Sequence, residues 1–334
     1  MDDRHRRTAP RAAAARRAAV TVGLVVLAVG LTVTLLSYGN PLPFGSDGYL
    51  VIARLRATAL VTMAVVALCQ GFATVAFQTV ADNRIITPSI MGFEALYATI
   101  QTSVVFLLGV SGLSLLDGAV PFAAQTVIMV AAAAVLYGTL LTGRRADMQV
   151  MLLVGVVVGG GLRSLSAFMQ RLMNPADFDI LTARLFGNIG NADARLLPTV
   201  VPVVAVVCGL LLLGSRRLDV LSLGRDTATN LGLDHRRATM LVLLLVSVLM
   251  AVTTALVGPM TFVGFLAATL AHQLCDTYAH RWLLPVSALV AYCALAASYL
   301  IMRHVFAAEG AVTVVVEFIG GSLFLFLVIR KGRL

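Results

Sequence analysis

Nine apolar runs of about 20 residues recur along this chain of 334 residues, each parted from the next by a short polar or charged stretch. They fall near 18–38, 52–77, 90–110, 119–142, 149–171, 197–214, 238–258, 283–304 and 311–329. A shorter run at 260–274, opened by Gly258 and Pro259, adds a half-length or broken helix and brings the count to ten. Only a helix or a closed barrel satisfies its own backbone polar groups in hydrocarbon, and runs of this length are those of helices. With 59% hydrophobic and 12% charged residues, the chain has too little polar surface to coat a soluble globule. The expected fold is an all-α polytopic membrane bundle of about ten transmembrane helices.

The basic residues orient that bundle. Arg4, Arg6, Arg7, Arg11, Arg16 and Arg17 precede the first run, Arg144 and Arg145 follow the fourth, and Arg330, Lys331 and Arg333 close the chain. Arg216, Arg217, Arg225, Arg236 and Arg237 surround the polar stretch between the sixth and seventh runs. An even number of spans puts all of these on one side, and the excess of positive charge makes that side the cytoplasm. Both termini are then cytoplasmic, with a basic arm at 1–17, a transmembrane unit at 18–329 and a short tail at 330–334. The opposite loops 39–50 and 111–118 lack arginine and lysine, although 174–196 carries Arg184 and Arg195. The net charge of +9 is thus a topology signal, since no aromatic platforms interleave the basic clusters as nucleic-acid binding would require.

Several chemistries are excluded. Lys331 is the one lysine, and it has no glycine-rich loop before it, so no Walker-type nucleotide site is present. No zinc-protease or serine-hydrolase motif occurs, and no catalytic residue is assigned. Cys69, Cys208, Cys275 and Cys293 lie in or beside apolar runs without metal-ligand spacing and read as small core residues. The five histidines are scattered near span ends, where His272 and His280 are expected to face the cytoplasm; no metal site is assigned.

The most informative polar stretch is 219–233. Gly224 and Gly232 are spaced to end two successive short helices, with Leu221, Leu223, Ala228 and Leu231 on one side and Arg225, Asp226 and Asn230 on the other. This is either an ordinary interhelical loop or a compact knuckle built to be gripped. The order of Leu221, Leu223, Gly224, Ala228, Leu231 and Gly232 resembles the coupling helices of the ABC importer permeases that take up siderophores, haem and cobalamin. The stretch 83–92, followed by Leu96, Tyr97, Ile100, Gln101 and Thr102, is similar to the members that carry ferric catecholate siderophores. Gly258, Pro259 and Gly264 resemble the segment before the short eighth helix, and Gly310, Thr313, Gly320 and Gly321 the last span. The chain departs from the family at Arg84, at Ala268 and Thr269, at His272 and at Ser322, and these departures weigh against cobalamin.

The resemblance implies a permease that performs no bond chemistry and binds no cofactor, while ATP and Mg sit on a separate ATPase subunit that presses on the six coupling residues. It further implies an extracytoplasmic binding protein, docked by Arg54, Arg56 and Arg303, and a second permease, an unlike one being favoured. The competing reading is that the same arginines are snorkelling anchors at the membrane interface. The location implied is the plasma or inner membrane of a bacterium.

Gln78, Asn83, Glu94, Gly155, Gly159 and Arg163 are the expected translocation-path residues. Gly155 and Gly159 provide a small-residue face that serves either close packing or a cavity. Arg163 lies about 20 Å from the inner end of its helix, too deep to face lipid. It either attracts an anionic cargo or pairs with Glu94 or Glu317. A ten-span secondary carrier is the competing reading, and it calls for paired intramembrane carboxylates where only the isolated Glu94 and Glu317 are found.

Overall fold

The computed structural model describes residues 3–38, 46–140, 148–187, 189–190, 192–304 and 312–331. Arg144, Arg145, Gly310 and Arg333, which entered the readings above, lie outside the described residues. Among those described, every regular element is helical: α1 Asp3–Ser37, α2 Asp47–Ala81, α3 Phe93–Leu108, α4 Ala119–Leu140, α5 Met148–Arg171 and α6 Pro175–Leu185. The chain continues with α7 Leu197–Leu213, α8 Ser215–Leu221, α9 Arg225–Asn230, α10 His235–Val257, α11 Thr261–Cys275, α12 His280–His304 and α13 Val312–Lys331. Seven of these contain spans long and apolar enough to cross a membrane, in α1, α2, α4, α5, α7, α10 and α12. The shorter apolar helices α3 and α11, with the 20-residue α13, account for the rest of the ten expected. The basic arm expected over 1–17 continues into α1 as one helix from Asp3.

Helix boundaries follow the local chemistry. Ser46 opens α2 by accepting a hydrogen bond from the Tyr49 amide, and Asp234 opens α10 by accepting one from the Arg237 amide. The third span starts later than its apolar run, because Pro88–Met91 forms a 3-10 turn and Gly92 takes φ 93° before α3 can begin. The loop expected over 174–196 contains α6, whose first turn carries Pro175 where its missing N–H costs nothing.

At the centre stands α2, packed against α12, α10, α11 and α7. Gly71 approaches a neighbouring backbone directly: a Cβ built there would come 2.7 Å from the Ala288 amide nitrogen and 2.9 Å from the Ser287 carbonyl carbon. Gly264 of α11 meets α2 at a side chain instead, its Cβ position falling against Thr74 Oγ1. The four cysteines are free and buried, as expected of small core residues. Val22, Val26, Val127, Val135 and Val206 are among the exposed apolar side chains, which suit lipid. Gly71→Ala forces the α2 and α12 backbones apart and is expected to cost on the order of 1–3 kcal/mol. Gly161, with no atom within 4 Å of its Cβ position, is the control. Thermal unfolding in detergent should fall for Gly71→Ala and stay put for Gly161→Ala.

Candidate functional site

The stretch 219–233 folds as two short helices, α8 and α9, turned by two glycines. Gly224 takes φ 87° and accepts from the Ala228 amide at 3.0 Å, starting α9. Gly232 takes φ 82°, its amide donating to Thr229 O at 2.9 Å while the Leu233 amide donates to Ala228 O at 3.0 Å. That pair of bonds is a Schellman cap. No atom lies within 4 Å of the Cβ position of either glycine, so backbone conformation and not space demands them.

The six expected coupling residues divide by exposure. Leu221 is buried at 3%, with Leu218 at 1% beside it, and both join the main hydrophobic core, which fastens the knuckle to the bundle; Ala228 is 0% exposed. Leu223 and Leu231 are exposed at 55% and 61%. A partner can therefore grip Leu223 and Leu231; the expectation that Leu221 and Ala228 also enter its groove gives way to an internal role.

The translocation-path candidates do not share one wall. Gly155 and Gly159 are buried in the seam between α5 and the turn before α3, where their Cβ positions lie 3.4 Å from Met91 Cα and 3.1 Å from Gly92 Cα. They serve close packing. Gln78 Nε2 donates to Arg84 O at 2.6 Å and Asn83 Oδ1 accepts from the Ile85 amide at 2.9 Å, which shapes the α2–α3 turn. Both line a cavity of about 350 Å³ that also touches Leu223, placing them beside the knuckle. Glu94 is buried and accepts from the Thr261 hydroxyl at 2.8 Å, joining α3 to α11. Arg163 is exposed on α5, and among the described residues no ion pair within 4.0 Å reaches it; of its two alternatives, a direct pair with Glu94 or Glu317 is not formed, although its charge acts on Glu94 at longer range.

The arginines expected to dock a binding protein also part company. Arg54 and Arg303 are exposed. Arg56 is 8% exposed, and its Nη1 donates to the carbonyls of Leu35 at 3.1 Å, Leu36 at 3.3 Å and Tyr38 at 2.8 Å. It closes the C-terminal end of α1, where carbonyls otherwise lack partners, and is not available for docking. Arg184, an exception among the outer loops, pairs with Asp117 at 2.8 Å and ties α6 to the turn before α4.

Sequence reasoning missed His280. Expected to face the cytoplasm, it is 3% exposed and hydrogen-bonds Asp219 on the knuckle and Thr79 at the end of α2. A helix-opening histidine among apolar residues carries no spacing signal that would reveal partners 61 and 201 residues away.

A polytopic helical bundle with an exposed, glycine-turned knuckle between two spans is the architecture of a membrane permease. The chain belongs to the FecCD transport family, whose model matches residues 18–330. It is 44% identical to the petrobactin import system permease protein FatC of Bacillus anthracis, over 94% of this chain and 89% of the relative. Identity to the petrobactin import system permease protein YclO of Bacillus subtilis is 32%, over 94% and 97%. The ferric enterobactin transport system permease protein FepD of Escherichia coli matches at 34%, over 79% and 77%. A solved inward-facing structure of a metal-chelate type ABC transporter superposes with a TM-score of 0.80 at 22% identity, covering 94% of this chain and 99% of that one. That likeness concerns the fold.

The contrast between Arg54 and Arg56 is testable. Arg56→Ala leaves three carbonyls without their donor and is expected to cost about 2 kcal/mol or more. Arg54→Ala should be neutral, and denaturant titration in detergent separates the two.

Proposed function

We propose that this chain is the permease subunit of an ABC importer that carries an iron(III)-siderophore complex into the bacterial cytoplasm. ATP and Mg are bound and ATP is hydrolysed on separate cytoplasmic ATPase subunits, with the energy delivered mechanically at the knuckle. The observation that carries this reading is the two-sided knuckle: Leu218 and Leu221 buried in the bundle core, Leu223 and Leu231 exposed. Exposed leucines on a rigid turn are apolar anchors for a partner's groove. Closure of the ATPase then pushes a lever already fastened to the bundle, and the helices rock between outward and inward access.

Arg163 supports a second permease alongside this one. It is exposed within the apolar α5, and a charge at that depth faces protein or water. With Ser164 and Arg171, also exposed on α5, it gives the pathway between two permeases a basic wall, suited to an anionic ferric chelate. An unlike partner fits this arrangement, because a path between non-identical walls matches an asymmetric cargo. Arg54 and Arg303 supply the outer face with positive charge for an extracytoplasmic binding protein. Such exposed contacts act mainly by steering encounter and are individually weak. The petrobactin and enterobactin names of the relatives support a catecholate-bearing siderophore as the cargo class. The membrane is then the plasma or inner membrane of a bacterium.

The test is reconstitution in liposomes with the ATPase, the second permease and the binding protein. Uptake of iron as a ferric catecholate siderophore should require ATP, while haem and cobalamin should not be imported. Leu223→Asp places a charge in the apolar contact and should abolish the binding protein's stimulation of ATP hydrolysis, with α8 and α9 still folded. Import by this chain without an ATPase would overturn the proposal.

A further inference from the structure

The knuckle is joined by the chain to α7 and α10 alone, yet the helices it must move include α2 and α12 at the centre of the bundle. A side-chain link closes that gap. Asp219 Oδ1, on α8, accepts from the backbone amide of His280 at 2.8 Å and from His280 Nδ1 at 2.6 Å. His280 Nε2 is 2.6 Å from Thr79 Oγ1 near the end of α2, and the Thr79 hydroxyl also lies 2.8 Å from Val75 O. A carboxylate only accepts, so Nδ1 carries a proton toward Asp219. One imidazole thus connects the knuckle, the start of α12 and the end of α2.

The placement gives the link mechanical meaning. Gly71 touches Ala288 across the α2–α12 seam, and Thr79 and His280 lie two turns further along that same antiparallel seam. α2 and α12 are therefore held together at both places, and Asp219 hooks the pair to α8, which also packs directly against both helices. His280 is 3% exposed while the Asp219 side chain is 38% exposed. The buried end of the link lies in the bundle and the open end on the lever.

We propose that Asp219, His280 and Thr79 form a transmission latch that carries the knuckle's movement into α2 and α12 as one body, making His280 a positioning residue for transport. This rests on the reading of the chain as an ATP-driven permease. The latch binds no cargo and no nucleotide; its loss leaves only the packing of α8 against α2 and α12 to carry the movement, and the coupling loosens.

A purely structural role is separable at His280: His280→Gln keeps the backbone amide on Asp219 Oδ1, and with it the cap of α12, but removes the imidazole, while Asp219→Asn keeps the shared oxygen and removes only its charge. The experiment measures cargo imported per ATP hydrolysed by the reconstituted complex for wild type, Asp219→Asn, His280→Gln and Thr79→Val. Expected is a fall of about tenfold in import with ATP hydrolysis within about twofold of wild type, as loss of a charge-assisted hydrogen bond allows. The Asp219→Asn, His280→Gln double variant should be no worse than the poorer single one, because both break one link. Import and hydrolysis falling in proportion, unchanged import, or additive losses would each overturn the latch. Should Asp219→Asn fail to assemble, Thr79→Val reads the other arm of the link by the same ratio. A wild-type complex that imports nothing with ATP would instead sink the transport reading itself.

Discussion

The architecture depends on how closely α2 approaches its neighbours. Between helices already surrounded by apolar material there is little hydrophobic gain in association, so packing contact and internal hydrogen bonds must hold them together. Gly71 lets α2 lie against the α12 backbone, and Gly264 lets α11 seat over Thr74. The glycines of α5 do the same against the turn before α3. Small residues in this chain are consequently structural at the points where they are most buried, and the open glycines Gly160 and Gly161 stand on the exposed side of α5.

Charges follow a matching logic. Where a guanidinium is buried it is spent on backbone groups that the helices leave unsatisfied, as Arg56 does at the end of α1. Where one remains exposed within an apolar helix, as Arg163 does, it marks a face that lipid does not cover. Arg184 shows a third use, closing the outer loops on themselves through Asp117. Its pairing with Asp117 explains how Arg184 can stand in a loop away from the basic clusters without disturbing the topology that those clusters set.

The knuckle joins these two themes. Its turns are imposed by positive backbone angles at Gly224 and Gly232, its inner side by burial of Leu218, Leu221 and Ala228, and its outer side by the exposure of Leu223 and Leu231. A knuckle that is to act as the proposed lever must be attached, and Leu218 and Leu221 supply that attachment by packing into the core. Asp219 extends the attachment from packing to a directed, charge-assisted contact with His280.

The ten apolar runs determined the membrane-spanning helical class by themselves, because length and apolarity alone decide whether a helix can cross. The glycines of the knuckle were equally legible, since a residue free to take positive φ after a short helix has few other uses. What each side chain meets across the bundle was decided only by the tertiary structure. Arg54 and Arg56 are two residues apart and read alike in the sequence, yet one is exposed and the other is wrapped in the carbonyls of α1. Leu221 and Leu223 divide in the same way, and His280 meets Asp219 and Thr79 from positions far along the chain. The reason is physical: helix formation is local and leaves its mark in periodicity, whereas the face a residue presents depends on how separate helices turn and pack against one another.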